Sequence, residues 1–232
     1  MSSLPRPAQF EPDASFRLIA RRVTGPRLTP ILTSIALVDE GAEVTALITL
    51  APFRAPFTVR CLDRISSFGI GSLVRTALDA RADRIVISGA GVGPLDGGLG
   101  AAEALGARVL SEADTPVRPG IKGWCDVARI DLATAHPRLA QVAFLFTGSA
   151  AATLAAIPAG IRRQMMIPVD LREDLAKDHG HLLTAWAAAA GRDIAQVAGG
   201  AAAGGLGAPL ACIRPHQSNH AAVREPLLAH AA

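Results

Sequence analysis

The sequence predicts an α/β fold built on a mixed β-sheet flanked by helices. Three observations carry this. Apolar runs at 31–38 and 44–50 are separated by Asp39-Glu40-Gly41, which reads as a hairpin turn. Leu73, Val74, Ala77 and Leu78 recur at helical spacing. Residues 85–110, IVISGAGVGPLDGGLGAAEALGARVL, then read as strand, glycine loop, helix and strand. A hairpin combined with strand–helix–strand units gives a sheet with both antiparallel and parallel neighbours.

Taken in order, residues 1–16 form a flexible arm that carries Pro5, Pro7 and Pro12 and lacks the apolar run of a signal peptide. Strands are expected at 17–23, 31–38 and 44–50. Pro52 and Pro56 exclude regular pairing over 51–66. A helix at 70–80, a strand at 85–87, a short helix at 98–105 and a strand at 107–110 follow. Residues 111–122 form a polar loop, and the apolar run 142–146 a buried strand. A short helix at 150–156 is expected to end at Pro158. Asp170, with Glu173 three residues on, has the spacing of a capping box and opens a helix that stops at Gly191. A last small-residue helix lies near 201–212. One α/β domain therefore covers 17–213, with an irregular tail at 214–232.

Composition narrows the function. The chain has 232 residues, half of them apolar, with 4% aromatics and no tyrosine, so small and aliphatic side chains must fill the core. Arginine outnumbers lysine by 21 to 2, the lysines being Lys122 and Lys177, yet the net charge is only +3 and no basic stripe appears. A nucleic-acid partner is not expected. Cys61, Cys125 and Cys212 are dispersed, odd in number and without CxxC spacing, which argues against disulfides and structural zinc and for reduced thiols in a cytoplasm. The stretch 182–213 is interrupted by Arg192 and Asp193, so no membrane span is expected.

Chemistry concentrates in the glycine loop. Gly91, Gly93, Gly97 and Gly98 would let backbone approach a small anion at a helix start, and Asp96 among them is the candidate catalytic carboxylate, uncrowded at a loop. The rival reading has Asp96 capping the helix that follows. The loop is neither a Walker P-loop nor a clean GxGxxG. Arg108 is a candidate for an anionic substrate group. Gly204, Gly205 and Gly207 would bring backbone near a cofactor or pack closely against the sheet. Asp131 reads as structural. His179 and His181 stand two apart on a helix and are expected at the surface. No residue set is assigned to a metal.

Several segments together resemble the bacterial glycerate kinase family. Asp96-Gly97-Gly98, Gly100 and Ala104-Leu105-Gly106-Ala107-Arg108 match its central signature. Val23-Thr24-Gly25-Pro26, Ser67-Phe68-Gly69-Ile70-Gly71, Ala128-Arg129-Ile130-Asp131-Leu132 and 200–208 resemble its other blocks, in the same order. The resemblance implies the non-Rossmann domain of that family and an ATP- and Mg²⁺-dependent phosphotransferase acting on D-glycerate. It also implies flanking segments that form a Rossmann-like domain, supplied in a homo-oligomer or by a partner chain. Departures accompany the match. Val92-Gly93-Pro94-Leu95 stands where the family has Ser-Ala-Thr-Asn, and Thr147-Gly148-Ser149-Ala150 where it has Ala-Cys-Asp-Val. The alternative is a catalytically dead domain that binds a small anion, oligomerises or regulates.

Overall fold

The computed structural model describes residues 15–54, 58–89, 91, 96–147, 152–164 and 167–213. The strands β1 (Ser15–Thr24), β2 (Pro30–Asp39) and β3 (Val44–Thr49) form an antiparallel meander, and Gly41, at φ +83°, makes the turn between the last two. After two 3₁₀ turns the chain enters α1 (Phe68–Asp79), which crosses over to β4 (Arg84–Ser88), parallel to β3. The strand β7 (Ala143–Phe146) adds on the far side of β4, also parallel, giving the order β1-β2-β3-β4-β7. Between them, α2 (Leu99–Ala104) leads into a separate two-stranded ribbon of β5 (Arg108–Leu110) and β6 (Arg129–Asp131). The C-terminal third is helical: α3 (Ile157–Gln164), α4 (Val169–Ala190), α5 (Ala202–Gly205) and α6 (Gly207–Ile213). The mixed sheet with helices is the architecture the sequence predicts.

Alternation sorts the strands' side chains onto two faces. Ile35, Leu37, Ala46, Ile48, Ile85, Ile87, Phe144 and Phe146 meet Ile70, Leu73, Val74, Ala77 and Leu78 of α1 in the main core. The reverse face carries a smaller cluster of strand residues, Ala36, Val38, Leu47 and Val86, with Leu145 against it. Apolar residues on both faces explain why the inner parallel strands read as unbroken apolar runs.

Three local expectations change. The segment expected to be a helix ending at Pro158 is instead a 3₁₀ turn at Leu154–Ala156, and α3 begins at Ile157. Pro158 thus sits in a first turn, where its missing N–H costs nothing; residues 148–151 lie outside the described ones. Asp170 is not the N-cap of α4. That place belongs to Pro168, and Asp170 lies in the first turn, where its charge suits the helix N-terminus. The far end behaves as expected, because Gly191 closes α4 in the left-handed conformation at φ +64°. The last helix is broken in two, with Ala203 and Gly204 in left-handed geometry.

Close approach of α1 to the end of β1 depends on one glycine. A Cβ on Gly69 would stand 1.8 Å from the carbonyl oxygen of Thr24 and 3.0 Å from the Phe53 ring. Gly69→Ala should therefore lower the unfolding free energy by about 3 kcal/mol or more, read from urea denaturation.

Candidate functional site

The glycine loop leaves β4 at its carboxyl end, flanked by the parallel strands β3 and β7. Leu50 N–H donates to Ser88 O and Thr147 N–H to Ile87 O, so the three strand ends lie side by side. Gly89 turns the chain at φ +76°, with the guanidinium of Arg54 resting against it at 3.5 Å from a notional Cβ. Gly91 is exposed, and Gly93 lies outside the described residues, as do Val92, Pro94 and Leu95.

Asp96 contradicts the expectation of an uncrowded carboxylate, since only 1% of it is exposed. One carboxylate oxygen accepts from Ser67 Oγ at 2.6 Å and Gly98 N–H at 3.2 Å. The other accepts from Ser67 N–H at 3.0 Å and Gly100 N–H at 3.1 Å. Ser67 is the N-cap residue of α1, yet its hydroxyl accepts from Ala101 N–H of α2 at 2.8 Å. Phe68 N–H donates to Ser66 Oγ at 3.1 Å. The orphan N–H groups that open both helices thus converge on one buried carboxylate and two serine hydroxyls. Burial pushes the Asp96 pKa up, while the Ser67 and Gly100 donors pull against it. Three of the four donors are backbone N–H groups that cannot turn round, so the pattern serves the ionised form.

The backbone around Asp96 is tied as firmly as its side chain. The Asp96 carbonyl accepts the indole N–H of Trp124 at 3.0 Å, and the Gly97 carbonyl that of Trp186 at 2.9 Å. These are the chain's two tryptophans, both fully buried. Gly97 and Gly98 hold left-handed φ angles of +68° and +90°; a Cβ on Gly97 would strike Leu182, and one on Gly98 would stand 2.2 Å from Gly205 O.

Of the three glycines expected near a cofactor, Gly205 meets this loop, and none lies on an open surface. Gly204, Gly205 and Gly207 are buried; a Cβ on Gly205 would stand 2.2 Å from Gly98 N, and one on Gly207 1.8 Å from Gly199 O. The backbone they admit is the chain's own. Arg108 is exposed on the β5–β6 ribbon, opposite Asp131, and its side chain makes no hydrogen bond or ion pair among the described residues. His179, expected at the surface, is only 6% exposed. Its Nε2 lies 2.9 Å from Leu154 O and its ring is tilted against Trp124 at 5.5 Å; burial lowers its pKa. His181 is exposed, as expected.

Ser66, Ser67, Trp124, Trp186 and Glu103 were not singled out as site residues from sequence. Serines at a helix start and a pair of lone tryptophans were the available signals. Glu103 on α2 is half-buried in the field of Asp96, and burial first, then that charge, push its pKa up to about 7. No group of three or more His, Cys, Asp or Glu among the described residues could hold a metal ion.

Removing the carboxylate strands four buried donors. Asp96→Ala should cost about 4 kcal/mol or more and Ser67→Ala about 2 kcal/mol, with the double variant losing less than the sum in urea denaturation. Glu103 gives a pH signature. Its folded pKa lies above its unfolded value of about 4.5, so the folded state keeps a proton that the unfolded chain has released, and stability falls as pH rises from about 4.5 to about 7. Discounted for partial exposure, Glu103→Gln should gain roughly 1–2 kcal/mol on wild type at pH 8 compared with pH 4, by chemical denaturation.

The profile of the Glycerate kinase family matches residues 10–223. The chain is 30% identical over 203 residues to a glycerate kinase of Bacillus subtilis (strain 168), covering 82% of this chain and 51% of that protein. It is 32% identical over 154 residues to a glycerate kinase of Halalkalibacterium halodurans, covering 62% and 39%. A crystal structure assigned as glycerate kinase 2 from Salmonella typhimurium LT2 superposes with a TM-score of 0.70 at 27% identity, covering 85% of this chain and 54% of that one. The chain thus spans about half the length of the first of these relatives and less of the second. With the signature loop, the sheet and the profile in agreement, the chain belongs to the glycerate kinase family.

Proposed function

We propose that this chain acts as a glycerate kinase-like phosphotransferase, moving the γ-phosphoryl group of ATP to a hydroxyl of D-glycerate or a similar hydroxy acid. The observation that carries the reading is the place of the family's signature loop. Gly89 and Gly91 follow β4 at the carboxyl end of the parallel strands, the edge where open α/β sheets take their ligands. In this reading Asp96 is a positioning residue: it fixes the Gly97-Gly98 turn and both helix starts, and so the base of the loop.

Mg²⁺ and ATP come with the family. Mg²⁺ does not fit at Asp96, whose two oxygens are each committed to two donors within a closed site; no part of the transfer runs through a metal at that carboxylate. Gly205 and Gly207 are packed on the chain's own backbone and Gly204 is buried beside them, which leaves no open surface for nucleotide phosphates at these glycines. The same saturation of Asp96 favours a second reading, a domain without turnover that binds a small anion, oligomerises or regulates a longer relative. Free Cys61, Cys125 and Cys212 support a cytoplasmic setting, and no helix among the described residues is long and apolar enough to cross a membrane.

A coupled assay of ADP release on the purified chain, with D-glycerate and MgATP, separates the two readings. Turnover that needs both substrates is the expected result. A rate no higher than the buffer blank, from protein whose unfolding is cooperative, overturns the transferase in favour of the binding domain.

A further inference from the structure

A groove of about 1080 Å³ runs between α4 and the ribbon side of the molecule, a size ample for a small ligand. None of the described residues that line it belongs to the signature loop. One wall is a stripe of α4 at helical spacing: Lys177, Gly180, His181 and Thr184. The facing wall carries the hydroxyls of Ser111 and Thr115, 2.8 Å apart, with Glu112 beside them.

Two features of this groove lack an explanation within the fold. Gly180 interrupts the middle of a 22-residue helix, where glycine is disfavoured relative to alanine, yet a Cβ there would meet nothing within 4 Å. No packing requires the glycine, and it leaves the α4 wall without a side chain between Lys177 and His181. Charge is the second feature. Arg118 on the far wall is neutralised by Asp126 at 2.8 Å. The side chains of Lys177 and His181, one turn apart on α4, make no hydrogen bond or salt bridge among the described residues; their electrostatic neighbour is Asp178 beside them.

We propose that this groove binds a small polyhydroxylated anion, whose carboxylate or phosphate pairs with Lys177 and His181 over Gly180 while its hydroxyls reach Glu112 and the Ser111–Thr115 pair. An ammonium and an imidazole on one wall, with hydroxyls and a carboxylate on the other, suit a molecule with an acid at one end and alcohols along its length. The site is separate from the phosphoryl-transfer reading, and binding is measured without turnover, so the two stand or fall independently.

Isothermal titration of the full chain with D-gluconate, D-glucose 6-phosphate and uncharged sorbitol tests it. Saturable binding of at least one anion, with none of sorbitol, is expected; the tighter anion shows whether carboxylate or phosphate is preferred. Lys177→Gln and His181→Gln should each weaken that binding about tenfold. Gly180→Leu, which puts a bulky side chain between Lys177 and His181, should abolish it while leaving the unfolding midpoint unchanged or raised; Gly180→Ala should raise the midpoint and weaken binding less. No heat from either anion up to ~20 mM, sorbitol binding as tightly as the anions, or undiminished binding in Gly180→Leu and Lys177→Gln would overturn the proposal.

Discussion

The buried carboxylate of Asp96 is the constraint around which the middle of this molecule is organised. A charge removed from water is tolerated only when donors replace the water, and here four do so. Those donors come from the openings of two helices whose N-cap residues, Ser67 and Gly98, stand far apart in sequence. Each helix supplies N–H groups that its own turns cannot satisfy. The carboxylate and the helix starts therefore solve each other's problem, and neither arrangement is stable without the other. The positive ends of both helix dipoles add to the same balance.

Other contacts follow from fixing that point. With the starts of α1 and α2 pinned together, the helices lie so close that a Cβ on Gly71 would stand 2.6 Å from Ala101 O. The carbonyls of Asp96 and Gly97 turn outward to the two indole N–H groups, which anchors Trp124 and, through Trp186, the long α4. The kinked segment at Ala202–Gly205 then nests on Gly98, glycine against glycine. Glycines widely separated in sequence mark one tight backbone crossing.

Legibility in the sequence follows the range of the forces involved. The strands, α1, the hairpin at Gly41 and the stop at Gly191 were readable, because alternation, helical spacing and glycine punctuation are local. The role of Asp96 was readable only as two rival possibilities. Its proximity to α2 suggested a cap, but the Ser67 half of the arrangement comes from a distant turn that no periodicity reports. The capping-box spacing at Asp170 misled for a related reason: the spacing recurs within a first turn, and Pro168 took the boundary. His179 misled because a histidine in the polar first half of α4 looks solvated until the facing Trp124 is placed.

The geometry also redistributes the meaning of the family signature. A motif that combines an aspartate with several glycines invites a catalytic reading, since carboxylates bind metals and glycines admit phosphates. Here both duties are already filled by the chain itself: helix N–H groups take the carboxylate, and backbone carbonyls and side chains take the space beside the glycines. An aspartate so committed cannot gain a metal ligand role without releasing N–H groups into a closed site, at the cost of their desolvation. Under the proposed phosphotransferase reading, its contribution is to hold the loop's base still. In that reading the reacting groups lie at the carboxyl edge of β3, β4 and β7, where Gly89 and Arg54 meet.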